Sequence, residues 1–230
     1  MINTTLETGG VIFCGGVKSF SVEKDMKFAG MDKYLQSCKS EFWKNVFKAE
    51  LDYILHQLKG AKDVLSVGCG PAIIETGLAE HGFNVTGLDI SKEALGQVPD
   101  GIRTVVGSAE NMEFAAESFD AVIYVASLQF IEKYKEAVKE TARVLKLGGK
   151  GLVMLLNPES EFFKEKRQNT DSYVNMIKHT DLKKIERVVA KYFFIETEYF
   201  LGIKGTEIFQ SRDSNVASLY IIKGTKKQYG

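Results

Sequence analysis

Two periodicities of apolar and polar residues divide the chain near Gly60. From about Tyr34, and most clearly in "SEFWKNVFKAELDYILHQLKG", apolar residues including Trp43, Val46, Phe47, Ile54 and Leu58 recur at three- and four-residue spacing. That spacing predicts an amphipathic helix ended by Gly60. Beyond it, the short runs "DVLSV", "NVTGLDI", "IRTVVG", "FDAVIYVASL" and "KGLVMLLN" have the length and apolar content of buried strands. Between several of them, "IIETGLAEHG" and "KEAVKETARVLKLGG" carry helical spacing. Strand and helix in alternation predict an α/β fold: a doubly wound, mostly parallel sheet covered on both faces. The end of the chain departs from this rhythm. "TDLKKIERVVAKY" has the pattern of a helix with Thr180 as its cap, and "FFIETEYFLGI" and "SLYIIKG" read as two strands pairing antiparallel at the edge, for seven strands in all.

This pattern divides the chain into an N-terminal arm and cap helix, residues 1–60, packed on a core domain, residues 61–230. The first 33 or so residues hold glycine pairs and little periodicity. Within the core, "PESEFFKEKRQNTDSYVNMIKH" is a polar and aromatic insertion, a candidate lid at about residues 158–179.

Composition narrows the partners. The chain has 230 residues, of which 44% are hydrophobic, enough for one good core. Lysine plus arginine equals aspartate plus glutamate at 30 each, so no global field draws the protein to nucleic acid or an anionic membrane. The three cysteines, Cys14, Cys38 and Cys69, form neither a disulfide framework nor a C-x-x-C metal pair, so no metal is expected. With no basic, apolar leader and no run of roughly 20 apolar residues, the expectation is a soluble, cytoplasmic monomer or homodimer.

Candidate chemistry begins where the first predicted strand breaks into "GCGPA". A strand running through Gly68, Cys69 and Gly70 into a helix brings bare backbone to a ligand at the carboxyl edge of the sheet. Asp89 ends the next strand, at the distance of an acid that accepts hydrogen bonds from ribose hydroxyls, so an adenosine-containing ligand is implied. A dinucleotide fits poorly. Its diphosphate wants G-x-G-x-x-G, whereas Ile73 holds the third glycine position and Pro71 has no N–H to donate.

With these landmarks, the chain resembles the class I S-adenosylmethionine-dependent methyltransferases, in the branch of small single-domain enzymes called type 11. The resemblance covers about Asp63 to Asn157. "VLSVGCGPA" is similar to the family's first motif, "GLDIS" to its ribose-binding segment, and "VVGSAENMEFAAESFDAVIYVASLQFI" to its adenine-contacting turn and fourth strand. "ARVLKLGGKGLVMLLNP" is similar to its helix, glycine turn and fifth strand. It implies a Rossmann-like fold, S-adenosylmethionine as cofactor and S-adenosylhomocysteine as product. It further implies cofactor contacts at Ser66, Gly68, Cys69, Gly70, Asp89, Ile90, Ser108, Ala109, Glu110 and Tyr124. Ser66 and Ser108 stand where the family commonly has acids, which predicts weaker cofactor binding because neutral hydrogen bonds are roughly half as strong as charge-assisted ones.

Methyl transfer from a sulfonium requires alignment of the acceptor and exclusion of water, and a base only when the nucleophile is protonated. No catalytic residue is therefore assigned. Without an N-P-P-Y-type tetrad, and with zero net charge, the expected acceptor is a small molecule. Tyr34, Trp43, Gln129, Tyr173 and His179 are the candidates for contacting it. Two other functions compete: a non-catalytic S-adenosylmethionine-binding module and a nucleotide-dependent oxidoreductase.

Overall fold

The computed structural model describes residues 38–170 and 172–228. The arm, Cys14 and Tyr34 lie outside them. Helix α1, Glu41–Gln57, starts at Ser40, whose side chain accepts a hydrogen bond from the Trp43 amide, and Gly60 turns the chain away with a left-handed φ of 85°. Then β1 (Asp63–Val67), α2 (Ile73–Glu80), β2 (Asn84–Asp89), the short α3 (Lys92–Leu95), β3 (Arg103–Val106), β4 (Phe119–Val125), α4 (Tyr134–Val144) and β5 (Leu145–Leu156) follow the expected alternation. Helix α5 (Glu161–Gln168) and a 3-10 turn (Tyr173–Met176) form the insertion. Helix α6 (Leu182–Tyr192) then leads to β6 (Phe193–Lys204), β7 (Glu207–Phe209) and β8 (Ala217–Lys226).

The sheet has eight strands in the order β3-β2-β1-β4-β5-β8-β6-β7. Strands β1 to β5 pair in parallel, while β8 runs antiparallel between β5 and β6. The eighth strand, β7, comes from the polar connection read as a loop: Gly205 takes a φ of 58° and folds Glu207–Phe209 back on β6. Asp181 caps α6 in place of Thr180, accepting from the Lys184 amide at 2.9 Å.

Strand parity splits the core. Leu65, Val67, Val122 and Tyr124 face α4 and α6, while Val64, Ala121, Ile123 and Met154 face α1, α2 and α5. Helix α1 is tied to the sheet's antiparallel end by Tyr53, whose hydroxyl donates to Glu198 at 2.7 Å. The insertion is packed down, with Phe162, Phe163 and Val174 buried. Among the described residues no helix is long and apolar enough to cross a membrane.

The chain order reverses between β1 and β4, since β2 and β3 lie to one side and β5 to the other. The carboxyl ends of these two strands therefore diverge and leave a crevice.

Candidate active site

A cavity of about 670 Å³ opens in that crevice and continues under α1 and the insertion. At its inner end the walls are largely backbone. Gly68 leaves β1 with a φ of 72°, and its amide donates to the Leu88 carbonyl at 2.7 Å. Ser127, just past β4, donates from Oγ to the Val67 carbonyl at 2.6 Å, so the two diverging loops touch. A Cβ on Gly68 would come 2.6 Å from the Cβ of Ser127, which leaves that position to glycine. Gly70 is also left-handed, with a φ of 53°, and its amide donates to Asp89 Oδ2 at 2.8 Å, while Ser91 donates to Oδ1 at 2.8 Å. The Asp89 carboxylate is thus aimed by two amides and keeps lone pairs for a ligand. Ile90 beside it is 77% exposed, a bare apolar face at the cavity wall. Across the crevice, Ser108 Oγ accepts from the Glu110 amide at 3.2 Å and Glu110 Oε1 from the Lys133 amide at 3.0 Å, which fixes the turn carrying Ala109. Cys69 lies over Gly87 of β2, and burial pushes its thiol well above the usual range, so it is a poor nucleophile.

Ser66 does not stand alone. It is buried in β1 and its hydroxyl donates to Oε1 of Glu75, from the first turn of α2. Glu75 is itself only 2% exposed and lines the cavity. A carboxyl from the facing helix thus reaches the cavity beside Ser66. Burial pushes it from 4.5 up to about 7, partly offset by the Ser66 hydrogen bond.

The outer end is built from side chains. Trp43 and Phe47 of α1 stack at 5.7 Å, Trp43 meets Phe162 edge-on at 6.2 Å, and Phe130 stacks on Tyr173 at 6.4 Å. All five rings line the cavity, together with Glu50 of α1.

The structure brings Gly68, Cys69, Gly70, Asp89, Ile90, Ser108, Ala109, Glu110, Trp43 and Tyr173 together around this one cavity. Four expected residues do not line it: Ser66, which meets the lining only through Glu75, and Tyr124, Gln129 and His179. Tyr124 has the opposite parity to Val125, which does line the cavity. It points into the other core layer, hydrogen-bonded to Thr141 at 2.7 Å. Gln129 is fully buried, accepting from the Leu156 amide at 2.7 Å and donating to the Leu156 and His179 carbonyls at 3.1 and 3.2 Å, so it staples the insertion's end to β5. His179 turns its Nε2 to the Ile131 and Glu132 carbonyls at 3.0 and 3.1 Å and packs on Tyr134 at 4.6 Å.

Sequence reasoning missed Glu50, Glu75 and Ser127. Glu50 falls on the apolar stripe of its helix, between Phe47 and Ile54, and Glu75 follows Ile73 and Ile74 into a buried turn. A lone acid on an apolar face was the available signal.

The type 11 methyltransferase domain family matches this chain over residues 65–153, which holds the glycine loop, Asp89, the Ser108 turn and the β4–β5 core. Over these residues the chain is similar to a methyltransferase domain, in keeping with the class I resemblance. An uncharacterised protein of Methanocaldococcus jannaschii is 29% identical over 150 residues, covering 62% of this chain and 70% of the relative. A ubiquinone biosynthesis O-methyltransferase of Dechloromonas aromatica is 27% identical over 161 residues, covering 62% and 68%. The chain spans about half or less of several longer relatives. In fold it is similar to a Thermotoga maritima S-adenosylmethionine-dependent methyltransferase described as a possible histamine N-methyltransferase. That likeness has a TM-score of 0.69 and 20% identity, covering 90% of this chain and 97% of the other.

S-adenosylmethionine is the cofactor of this methyltransferase family, and the residues present fit it. Glycine backbone that tolerates no Cβ, an aimed acid on β2, an exposed Ile90 and a buried acid at Glu75 suit an adenosine bearing a cationic methionine tail. The cavity volume lies in the ordinary range for ligand sites, about 300–1,000 Å³.

Proposed function

We propose that this methyltransferase, working in the cytoplasm, moves a methyl group from S-adenosylmethionine to a small organic acceptor held in the aromatic chamber. The observation that carries this reading is that one continuous cavity joins the backbone-lined crevice to the ring-lined chamber under α1 and α5. When bound, the cofactor supplies an electrophilic methyl on a good leaving group. The chain's own residues bind, orient and keep water out.

In this reading Gly68 and Gly70 lie under the methionine part, Asp89 accepts from the ribose hydroxyls, and Ile90 packs on the adenine. Ser108 and the Ala109 amide reach the adenine edge. Glu75, braced by Ser66, sets a negative charge near the cationic tail. This offsets the weaker cofactor binding expected from Ser66 alone. Helix α5 and the 3-10 turn act as the lid, with the exposed rim residue Met176 at its mouth. A small-molecule acceptor accords with the named relative, an O-methyltransferase of ubiquinone biosynthesis. The family match over residues 65–153 supports methyl transfer rather than an oxidoreductase.

Isothermal titration with S-adenosylhomocysteine, followed by a transfer screen with labelled donor, tests the proposal. Saturable heat and labelled product are expected. No detectable heat at high micromolar ligand overturns the cofactor assignment, and heat without any labelled product favours a non-catalytic binding module.

A further inference from the structure

The acceptor chamber contains an unsolved electrostatic problem. Glu50 is 6% exposed, yet among the described residues its carboxylate has no hydrogen-bond or ion-pair partner. A buried carboxyl with nothing to neutralise it is among the costlier arrangements in a protein, and is retained where a ligand supplies the missing charge. Ser218 Oγ, in the same cavity lining, is also buried without a partner. The rings of Trp43, Phe47, Phe162 and Tyr173 line the same cavity, and Tyr173 is close enough to Glu50 to feel its charge. Aromatic faces attract cations, and two of these rings already do so: the Lys166 ammonium lies 6.0 Å from the Trp43 centroid and 5.5 Å from that of Phe162.

The charge of the whole lining agrees. Five carboxyl residues, Glu50, Glu75, Asp89, Glu110 and Glu132, line the cavity against a single lysine, Lys178, which is paired with Glu132 at 2.7 Å. A chain of zero formal net charge therefore sets five carboxyl groups against one paired lysine in this cavity. An acceptor bearing a carboxylate or phosphate would find no unpaired cation in this lining.

Resting on the methyltransferase reading above, we propose that the acceptor is a small amine with an apolar body, bound as its ammonium on the Glu50 carboxylate and oriented by Ser218 and the aromatic rings. The chemistry closes. The ammonium gives one proton to Glu50, which frees the nitrogen lone pair. That pair forms the N–CH3 bond as the S–CH3 bond of S-adenosylmethionine breaks, with the broken bond's electrons staying on sulfur. The products are S-adenosylhomocysteine and an N-methylammonium. Burial pushes the empty Glu50 carboxyl from 4.5 up to about 8, so it is well matched to accept a proton from an ammonium near neutral pH. Glu50 also raises the Tyr173 hydroxyl, after burial the next largest cause, so its field acts on the ring that closes the chamber.

Trp43 is the only tryptophan of the chain, so its emission reports on the chamber directly. With S-adenosylhomocysteine bound, 2-phenylethylamine, benzylamine and cyclohexylamine are titrated against their neutral and anionic counterparts 2-phenylethanol and 3-phenylpropionate. The expected result is a saturable emission change with at least one amine, roughly tenfold tighter than with the alcohol or the acid. Glu50→Gln should weaken the amine roughly tenfold or more and leave the titration heat of S-adenosylhomocysteine within about twofold, while Ser218→Ala weakens it less. The inference is overturned if the alcohol or the acid binds as well as the amines, if Glu50→Gln binds amine like the unsubstituted protein, or if no amine responds. Failure of the unsubstituted protein to bind S-adenosylhomocysteine overturns the methyltransferase reading itself, whereas cofactor binding without an amine response overturns this inference alone.

Discussion

At the inner end of the cavity the contacts come from backbone at the tips of β1 and β2, whereas at the outer end they come from side chains on α1, α5 and the 3-10 turn. Gly68 and Gly70 take part by having no side chain, and their amides are held at 2.7 and 2.8 Å to Leu88 and Asp89. Trp43, Phe47, Phe162 and Glu50 take part through side chains alone. The first kind of wall depends on its glycines: Gly68 has no room for a Cβ, and Gly70 takes a left-handed φ of 53°. The second kind keeps its backbone regular and stores all its information in residue identity. A site divided this way fixes the cofactor while leaving the acceptor open to divergence.

The sharpest break between the two ends is Gly68→Ala. The new Cβ meets Ser127 Cβ at 2.6 Å on a residue whose φ is 72°, so the β1 and β4 loops must separate. We expect a loss of about 2–4 kcal/mol in urea unfolding and S-adenosylhomocysteine affinity reduced about a hundredfold or more. The Trp43 emission of the folded variant should be unchanged, since the outer chamber does not depend on that loop. A binding loss smaller than tenfold would mean that the crevice is not backbone-defined.

Glu75→Gln tests a buried side chain at the inner end. Burial raises the Glu75 carboxyl from 4.5 to about 7. Because the folded value is the higher one, its contribution to stability is present below about 4.5 and is lost as the pH rises toward 7. A cationic ligand favours the ionised form, so its affinity should run the opposite way and tighten with pH. From pH 6 to pH 8 the unsubstituted protein should come to bind S-adenosylmethionine, whose sulfonium is cationic, roughly fivefold tighter, and Glu75→Gln should show a flat profile at the weaker level. Titration at both pH values checks this. A pH slope that survives the substitution assigns it to another group.

Legibility in the sequence follows the same division. The parallel sheet, the glycine loop and Asp89 could be read because each rests on local constraints: β-strand apolar runs, a strand-to-helix turn that needs glycine, and a fixed distance to the next strand end. Strand β7 was missed because three residues, Glu207–Phe209, are too few to show a period. Tyr124 and Gln129 were misplaced because the sequence shows that a residue ends a strand but not which face it takes. One step of parity sends Tyr124 to Thr141 and leaves Val125 at the cavity. Glu50 and Glu75 were overlooked for a different reason. Their meaning lies in contacts across elements, Glu75 with Ser66 nine residues away and Glu50 with a chamber closed by Phe162 and Tyr173, and no local pattern encodes those.

The smallest expected effect concerns Ile90, the exception among the inner residues because it offers a side chain and hides almost none of it. With 77% of its surface exposed, it contributes little to the fold, and Ile90→Ala should change stability by less than about 0.5 kcal/mol. If it covers the adenine, truncation removes about 1–2 kcal/mol of apolar burial from the complex and weakens S-adenosylhomocysteine roughly fivefold to thirtyfold. Adenosine alone should lose the same factor, because the contact is to the base and not to the methionine tail. A loss confined to S-adenosylhomocysteine would place Ile90 against the tail instead, and would extend the side-chain character of the outer chamber further inward than the glycine loop.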